Sequence, residues 1–173
     1  MEITKILLRD NGYALERVDE DFGIRNFAPA PYDCYYKGGI DLHEDGLVRW
    51  TCDDARIRIN VAKRGMTVEE FNSLAQGMGM PHLALGHAPA ATQAKLFEDI
   101  PITEVLVKGR GWTLKTSERW GKVYKHPEND MTIAFYDDLV VLDYHNCEGE
   151  GFHVAGHELS NTVYSTVTKL FCL

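Results

Sequence analysis

Apolar and polar positions alternate most cleanly over residues 56–62. Ile57, Ile59 and Val61 are separated by Arg56, Arg58 and Asn60, so one face of a strand is buried and the other is wet. The same reading makes strands of Cys34–Leu42, Leu47–Cys52, Lys122–Lys125, Met131–Tyr136 and Leu139–Tyr144, with turns at Glu44-Asp45-Gly46, Asp53-Asp54 and Asp137-Asp138. After residue 66 the period changes. Thr67-Val68-Glu69-Glu70 has the spacing of a capping box, and Phe71, Leu74 and Ala75 then share one helix face, with Gly77 as the stop. At the C-terminus Leu159, Val163, Val167 and Leu170 are spaced for a helix, against the strand preference of the β-branched residues among them. Glu148–His157, with its glycines, reads as loop.

One pattern occurs twice. Residues 3–17 and 102–116 match at an offset of 99, with Ile3/Ile102, Thr4/Thr103, Leu7/Leu106, Gly12/Gly111 and Leu15/Leu114 identical. Asn11-Gly12 is a strong short hairpin signal and Arg110-Gly111 a weaker one, so both segments are expected to be β-hairpins. A helix over Ile3–Asp10 is the competing reading. The expected fold is therefore α+β, made of two antiparallel meanders. Each has a hairpin, three strands and a helix, in the order an internal duplication would give. The expected division is a first half over residues 1–78, a connector with a short helix over 79–100, and a second half over 101–173.

Composition narrows the class. With 45% hydrophobic and 25% charged residues in 173, the chain can bury a core without a metal or disulfide staple. Eighteen Lys and Arg against 26 Asp and Glu give a net charge of −8, which disfavours whole-surface binding to nucleic acid or anionic lipid and suits a basic partner. Cys34, Cys52, Cys147 and Cys172 include no Cys-x-x-Cys pair, and no apolar run is long enough for a signal peptide core or a membrane span. A reducing cytosol is the expected compartment.

Three features could carry chemistry. His145, Cys147, His153 and His157 form the densest set of zinc-type ligands, with Glu148 or Glu158 as a base for a metal-dependent hydrolase. His153-Val-Ala-Gly-His157 lacks the internal glutamate of the metalloprotease pattern, so no cofactor is expected and zinc is the alternative. Residues 102–126 carry six basic residues against two acidic ones, interleaved with aromatics. Lys115, Arg119, Trp120, Lys122 and Tyr124 are the candidate contacts for single-stranded nucleic acid. Residues 110–134 resemble the small RNA-cleaving toxins of the HicA type through Gly111, Trp112, Leu114, Lys125, His126, Pro127 and Thr132. That family's catalytic histidine has no counterpart in Trp120-Gly121-Lys122-Val123, so the resemblance implies no activity here.

The third feature is acidic. Asp19-Glu20-Asp21, Glu44-Asp45, Asp53-Asp54, Asp137-Asp138 and Glu148–Glu150 all fall in turns or loops and could form one negative rim. Phe27, Tyr32, Tyr35 and Tyr36 are the candidate aromatic anchors beside it. No catalytic set assembles from the sequence. The expected function is that of a small acidic cytosolic module that inhibits or covers a protein partner, as immunity proteins and mobile-element anti-defence proteins do. Nucleic acid and membrane are not the expected partners.

Overall fold

Thr4 and Thr103 each accept a hydrogen bond from the backbone N–H three residues on, Leu7 and Leu106, both at 3.3 Å. Each therefore caps a short helix: α1 (Lys5–Asp10) and α3 (Glu104–Gly109). Gly12 and Gly111 follow with φ of +82° and +83°, the left-handed conformation that ends a helix cheaply. The echoed segments are thus helix–turn–strand units and not hairpins. Asn-Gly here supplies a helix stop, and the strand begins only after the glycine.

In this computed structural model, residues 1–29, 37–53, 57–77, 82–85, 100–118 and 121–173 are described. After α1 come β1 (Tyr13–Asp19), β2 (Ile24–Pro29), β3 (Lys37–His43), β4 (Leu47–Asp53), β5 (Ile57–Arg64) and α2 (Val68–Gly77). After α3 come β6 (Thr113–Glu118), β7 (Gly121–Lys125), β8 (Thr132–Tyr136), β9 (Val140–His145), β10 (Gly151–Gly156) and α4 (Asn161–Leu170). All ten strands form one antiparallel sheet in the order β1-β2-β3-β4-β5-β10-β9-β8-β7-β6. Each half is a meander, and β5 pairs with β10 to join them. Residues expected to form the loop 148–157 instead supply β10, a strand paired on both sides. Ile24–Pro29, for which the sequence pattern predicts no strand, forms β2. The short helix expected near residues 92–98 lies outside the described residues.

The correspondence between halves extends beyond the echo. Val68 N donates to Met1 O at 2.8 Å, and Asn161 N donates to Ile100 O at 2.9 Å. Isolated bridges join Glu2 to Thr67 and Pro101 to Ser160. The edge strands β1 and β6 are each irregular one residue past their leucine, at Leu15/Arg17 and Leu114/Thr116.

The helices lie on one face of the sheet. Leu8, Phe71, Leu74 and Val167 join Phe27, Ile40, Trp50, Ile59, Val61, Ile133, Leu142, Phe152 and Val154 in one buried cluster. Trp50 meets Phe71 at 5.1 Å between ring centroids, and Phe152 meets Phe171 at 5.4 Å. The capping box forms as expected: Thr67 N donates to Glu70 Oε2 at 2.9 Å and Glu70 N donates to Thr67 Oγ1 at 3.2 Å. Burial of a single helical stripe needs only one sheet face, and the other mixes polar residues with a short apolar row of Val123, Ala134, Val141 and Ala155. A row on that open face runs through Thr51, Asn60, His153, Asp143 and Thr132, each opposite the next. No helix among the described residues is long and apolar enough to cross a membrane.

Candidate functional site

Strand direction decides which turns share an end of the sheet. The β1–β2, β3–β4, β9–β10 and β7–β8 turns all fall at one end, beside the exit of β5. Backbone bonds tie neighbours together there: Glu44 N to Gly23 O and Gly65 N to Gly46 O, both at 3.0 Å. Asp19-Glu20-Asp21, Glu44-Asp45 and Glu148–Glu150 are therefore on one rim, joined by Glu128 and Asp130. The rim does not include all five expected turns. Asp53 and Asp137-Asp138 sit at the opposite end, because successive turns of a meander alternate ends.

Some rim carboxylates are used internally. Arg64 Nη1 lies 2.7 Å from Asp45 Oδ2, and the Arg64 N–H donates to Glu150 Oε1 at 2.8 Å. The Asp45 carboxyl is held below its usual range, first by the Leu47 N–H and then by Arg64. Arg25 reaches Glu44 at 3.4 Å and Lys125 reaches Asp130 at 2.8 Å. Glu20, Asp21, Glu128 and Glu148 are exposed and make no ion pair among the described residues. Phe22 stands among them with 75% of its surface exposed. Beside it a cavity of about 290 Å³ is lined by Val18, Asp19, Glu20, Gly23, Ile24, Arg25 and Glu44. Sequence reasoning missed Phe22, although an apolar residue between Asp21 and Gly23 in an acidic turn was the available signal.

The expected anchors lie elsewhere. Phe27 is 1% exposed and belongs to the core. Tyr32, Tyr35 and Tyr36 fall outside the described residues.

Two lysines of the basic strip share one internal carboxylate. Glu104 receives Lys122 Nζ at 2.8 Å, Lys108 Nζ at 3.1 Å and the Tyr124 hydroxyl at 2.8 Å. Its carboxyl is pulled down to about 2, first by Lys122, then by Tyr124 and Lys108. Tyr124 itself is buried, so its ring is not free to stack on a base. Arg110 binds Asn161 at 2.8 Å and lies 5.0 Å from the Tyr164 ring centroid. Lys115 is exposed, and Arg119 and Trp120 lie outside the described residues.

The four residues expected to gather around a metal do not do so. His145 lies opposite Gly151, at the start of β10, while His157 follows the end of that strand. Six residues of extended chain separate those levels, about 20 Å at ~3.3 Å per residue. His157 Nδ1 instead lies 2.7 Å from Asp138 O, and Cys147 is an exposed free thiol in the β9–β10 turn. His145 and His153 do converge, but on Asp143. His145 Nε2 is 3.1 Å and His153 Nδ1 is 3.8 Å from Asp143 Oδ1. As they stand, no three His, Cys, Asp or Glu side chains among the described residues are arranged to hold a metal ion. Comparison with protein-family models, with curated proteins and with solved structures returns no match.

Proposed function

We propose that this chain is a non-catalytic binding module that covers a basic protein partner with the acidic end of its sheet. The observation that supports this reading is the alignment of four turns along one end of a single sheet, with Glu20, Asp21, Glu128 and Glu148, which make no ion pair among the described residues, around an exposed Phe22. Unpaired carboxylates steer a basic surface and raise its association rate, while a desolvated aromatic supplies affinity. Inhibition by covering such a surface is the mode of action in this reading, and it takes place in the cytosol.

The test is recovery of a partner from host cytosol on immobilised chain at low and high salt. A specific partner should be retained at low salt, released by salt, and lost with Phe22→Ala or with Glu20→Gln plus Asp21→Asn. No specific partner, or one whose association rate ignores ionic strength, refutes the proposal.

We also infer that residues 1–77 and 100–173 are two copies of one helix–five strands–helix unit, joined by a connector. The paired caps, glycine stops, isolated bridges and edge irregularities support this.

A further inference from the structure

Among the described residues, the open face of the sheet brings together Asp143, His145 and His153. Asp143 and His145 lie two residues apart on β9 and so project from the same face, and His153 is directly opposite Asp143 on β10. Three observations distinguish this cluster from scattered surface polar groups. Asp143 Oδ1 is buried and receives no hydrogen bond, although its side chain as a whole is 40% exposed. His145 Nε2 lies 3.1 Å from that oxygen, a charge contact that does not form a hydrogen bond. A buried carboxylate oxygen without a hydrogen bond is costly, and a bound ion would offset that cost.

The second observation is the seat of the His145 ring. Gly151 lies opposite His145, and a Cβ there would come within 2.7 Å of His145 Nδ1. Only glycine leaves room for the ring in this position, where its Nε2 lies 3.1 Å from Asp143 Oδ1. The third is spacing. A tetrahedral ion with bonds of about 2.0–2.1 Å separates its ligand atoms by about 3.4 Å. The two separations from Asp143 Oδ1, 3.1 and 3.8 Å, bracket that figure.

We propose that Asp143, His145 and His153 form a binding site for a divalent transition metal of the zinc class. Two imidazoles and one carboxylate suit zinc, cobalt or nickel and not magnesium or calcium, which take oxygen-only shells. The backbone already holds the three residues on adjacent paired strands. As they stand the three side chains do not close on a common centre, so in this proposal the two half-exposed rings turn toward the carboxylate on binding, and water fills the remaining positions. The site differs from the set expected from sequence: Asp143 replaces Cys147 and His157. It is independent of the acidic-rim proposal, since the rim turns contribute no ligand.

The test uses the full-length chain, stripped with chelator and titrated with Zn²⁺ and with Co²⁺. One equivalent should bind, and the Co²⁺ form should show the visible absorption of a low-coordinate site. Asp143→Asn and His153→Ala should each weaken binding at least tenfold, while Cys147→Ala and His157→Ala leave it unchanged. Because a variant can fail for structural reasons, Co²⁺ should also be added to the unmutated chain. It should broaden the imidazole proton resonances of His145 and His153 and spare those of His126 and His157. Sub-stoichiometric binding, broadening centred on other histidines, or affinity lost with Cys147→Ala and kept in Asp143→Asn overturns the proposal.

Discussion

Substitution of Gly151 by alanine tests how tightly the centre of the sheet is built. Gly151 faces Ala62 on β5 and His145 on β9. A Cβ would collide with the Tyr144 carbonyl oxygen and would stand 2.7 Å from His145 Nδ1 and 2.9 Å from His145 Cα. Two of these three atoms are backbone, held by pairing to β10, so they cannot swing aside as a side chain can. Overpacking of this kind costs about 1–3 kcal/mol, and movement of backbone places Gly151→Ala at the upper end, about 3 kcal/mol. A chain of this size loses about 2–4 °C of melting temperature per kcal/mol, so a fall of about 6–12 °C is expected. Gly149→Ala is the control. Its φ of +77° is left-handed, but nothing lies within 4 Å of the added Cβ. It should cost only the conformational term, about 1–2 kcal/mol. Urea unfolding followed by circular dichroism, with calorimetry, measures both. Gly151→Ala within about 0.5 kcal/mol of the unmodified chain, the range of an ordinary surface change, would refute the packing argument. So would a Gly149→Ala cost exceeding that of Gly151→Ala.

Thr4→Ala and Thr103→Ala each remove one equivalent cap and should each cost about 1 kcal/mol; urea midpoints differing between them by more than that would count against the copied-unit reading. Phe152→Ala empties a fully buried site against Tyr144 and Phe171 and should cost about 3–5 kcal/mol by the same assay. The Glu104 carboxyl is lowered in the folded state from 4.5 to about 2, so its contribution is present above about pH 4.5 and lost as pH falls toward 2. Glu104→Gln should therefore flatten that part of the stability–pH curve, read from urea midpoints, and leave the curve above pH 6 parallel to that of the unmodified chain.

The legible parts of the fold were those where one period or one cap dominates. Ile57, Ile59 and Val61 alternate, and they are buried on one face of β5 or packed against the core. Thr67 and Glu70 cap reciprocally, and the spacing of Val163, Val167 and Leu170 outweighed the β-branched residues of α4. Errors arose where one residue type serves two purposes. Asn11-Gly12 marks a hairpin or a helix stop, and only the Thr4 cap distinguishes them, by starting a helix just long enough to bury Leu7 and Leu8. Gly151 and Gly156 suggested a loop, but the glycine at 151 allows a close approach of paired strands. The candidate site was only partly legible. The grouping of acidic turns depends on strand direction, which alternates along a meander and splits the five turns between two ends. Asp143 was missed because its partnership with His153 crosses two strands and has no signature in local spacing.

The joint between β5 and β10 also bears on how the chain reaches its final state. Within each half every strand pairs with its neighbour in sequence, so those contacts close short loops at little entropic cost. The joint instead connects residues as distant as Ile57 and Gly156. Non-local pairing is slow, so the two meanders should form first and dock last. Until they dock, β5 and β10 are bare edges presenting Ile59, Val61, Phe152 and Val154 to any other unfinished chain. Damage at this joint would then appear during refolding as concentration-dependent aggregation, while each half still acquires its own secondary structure at an unchanged rate.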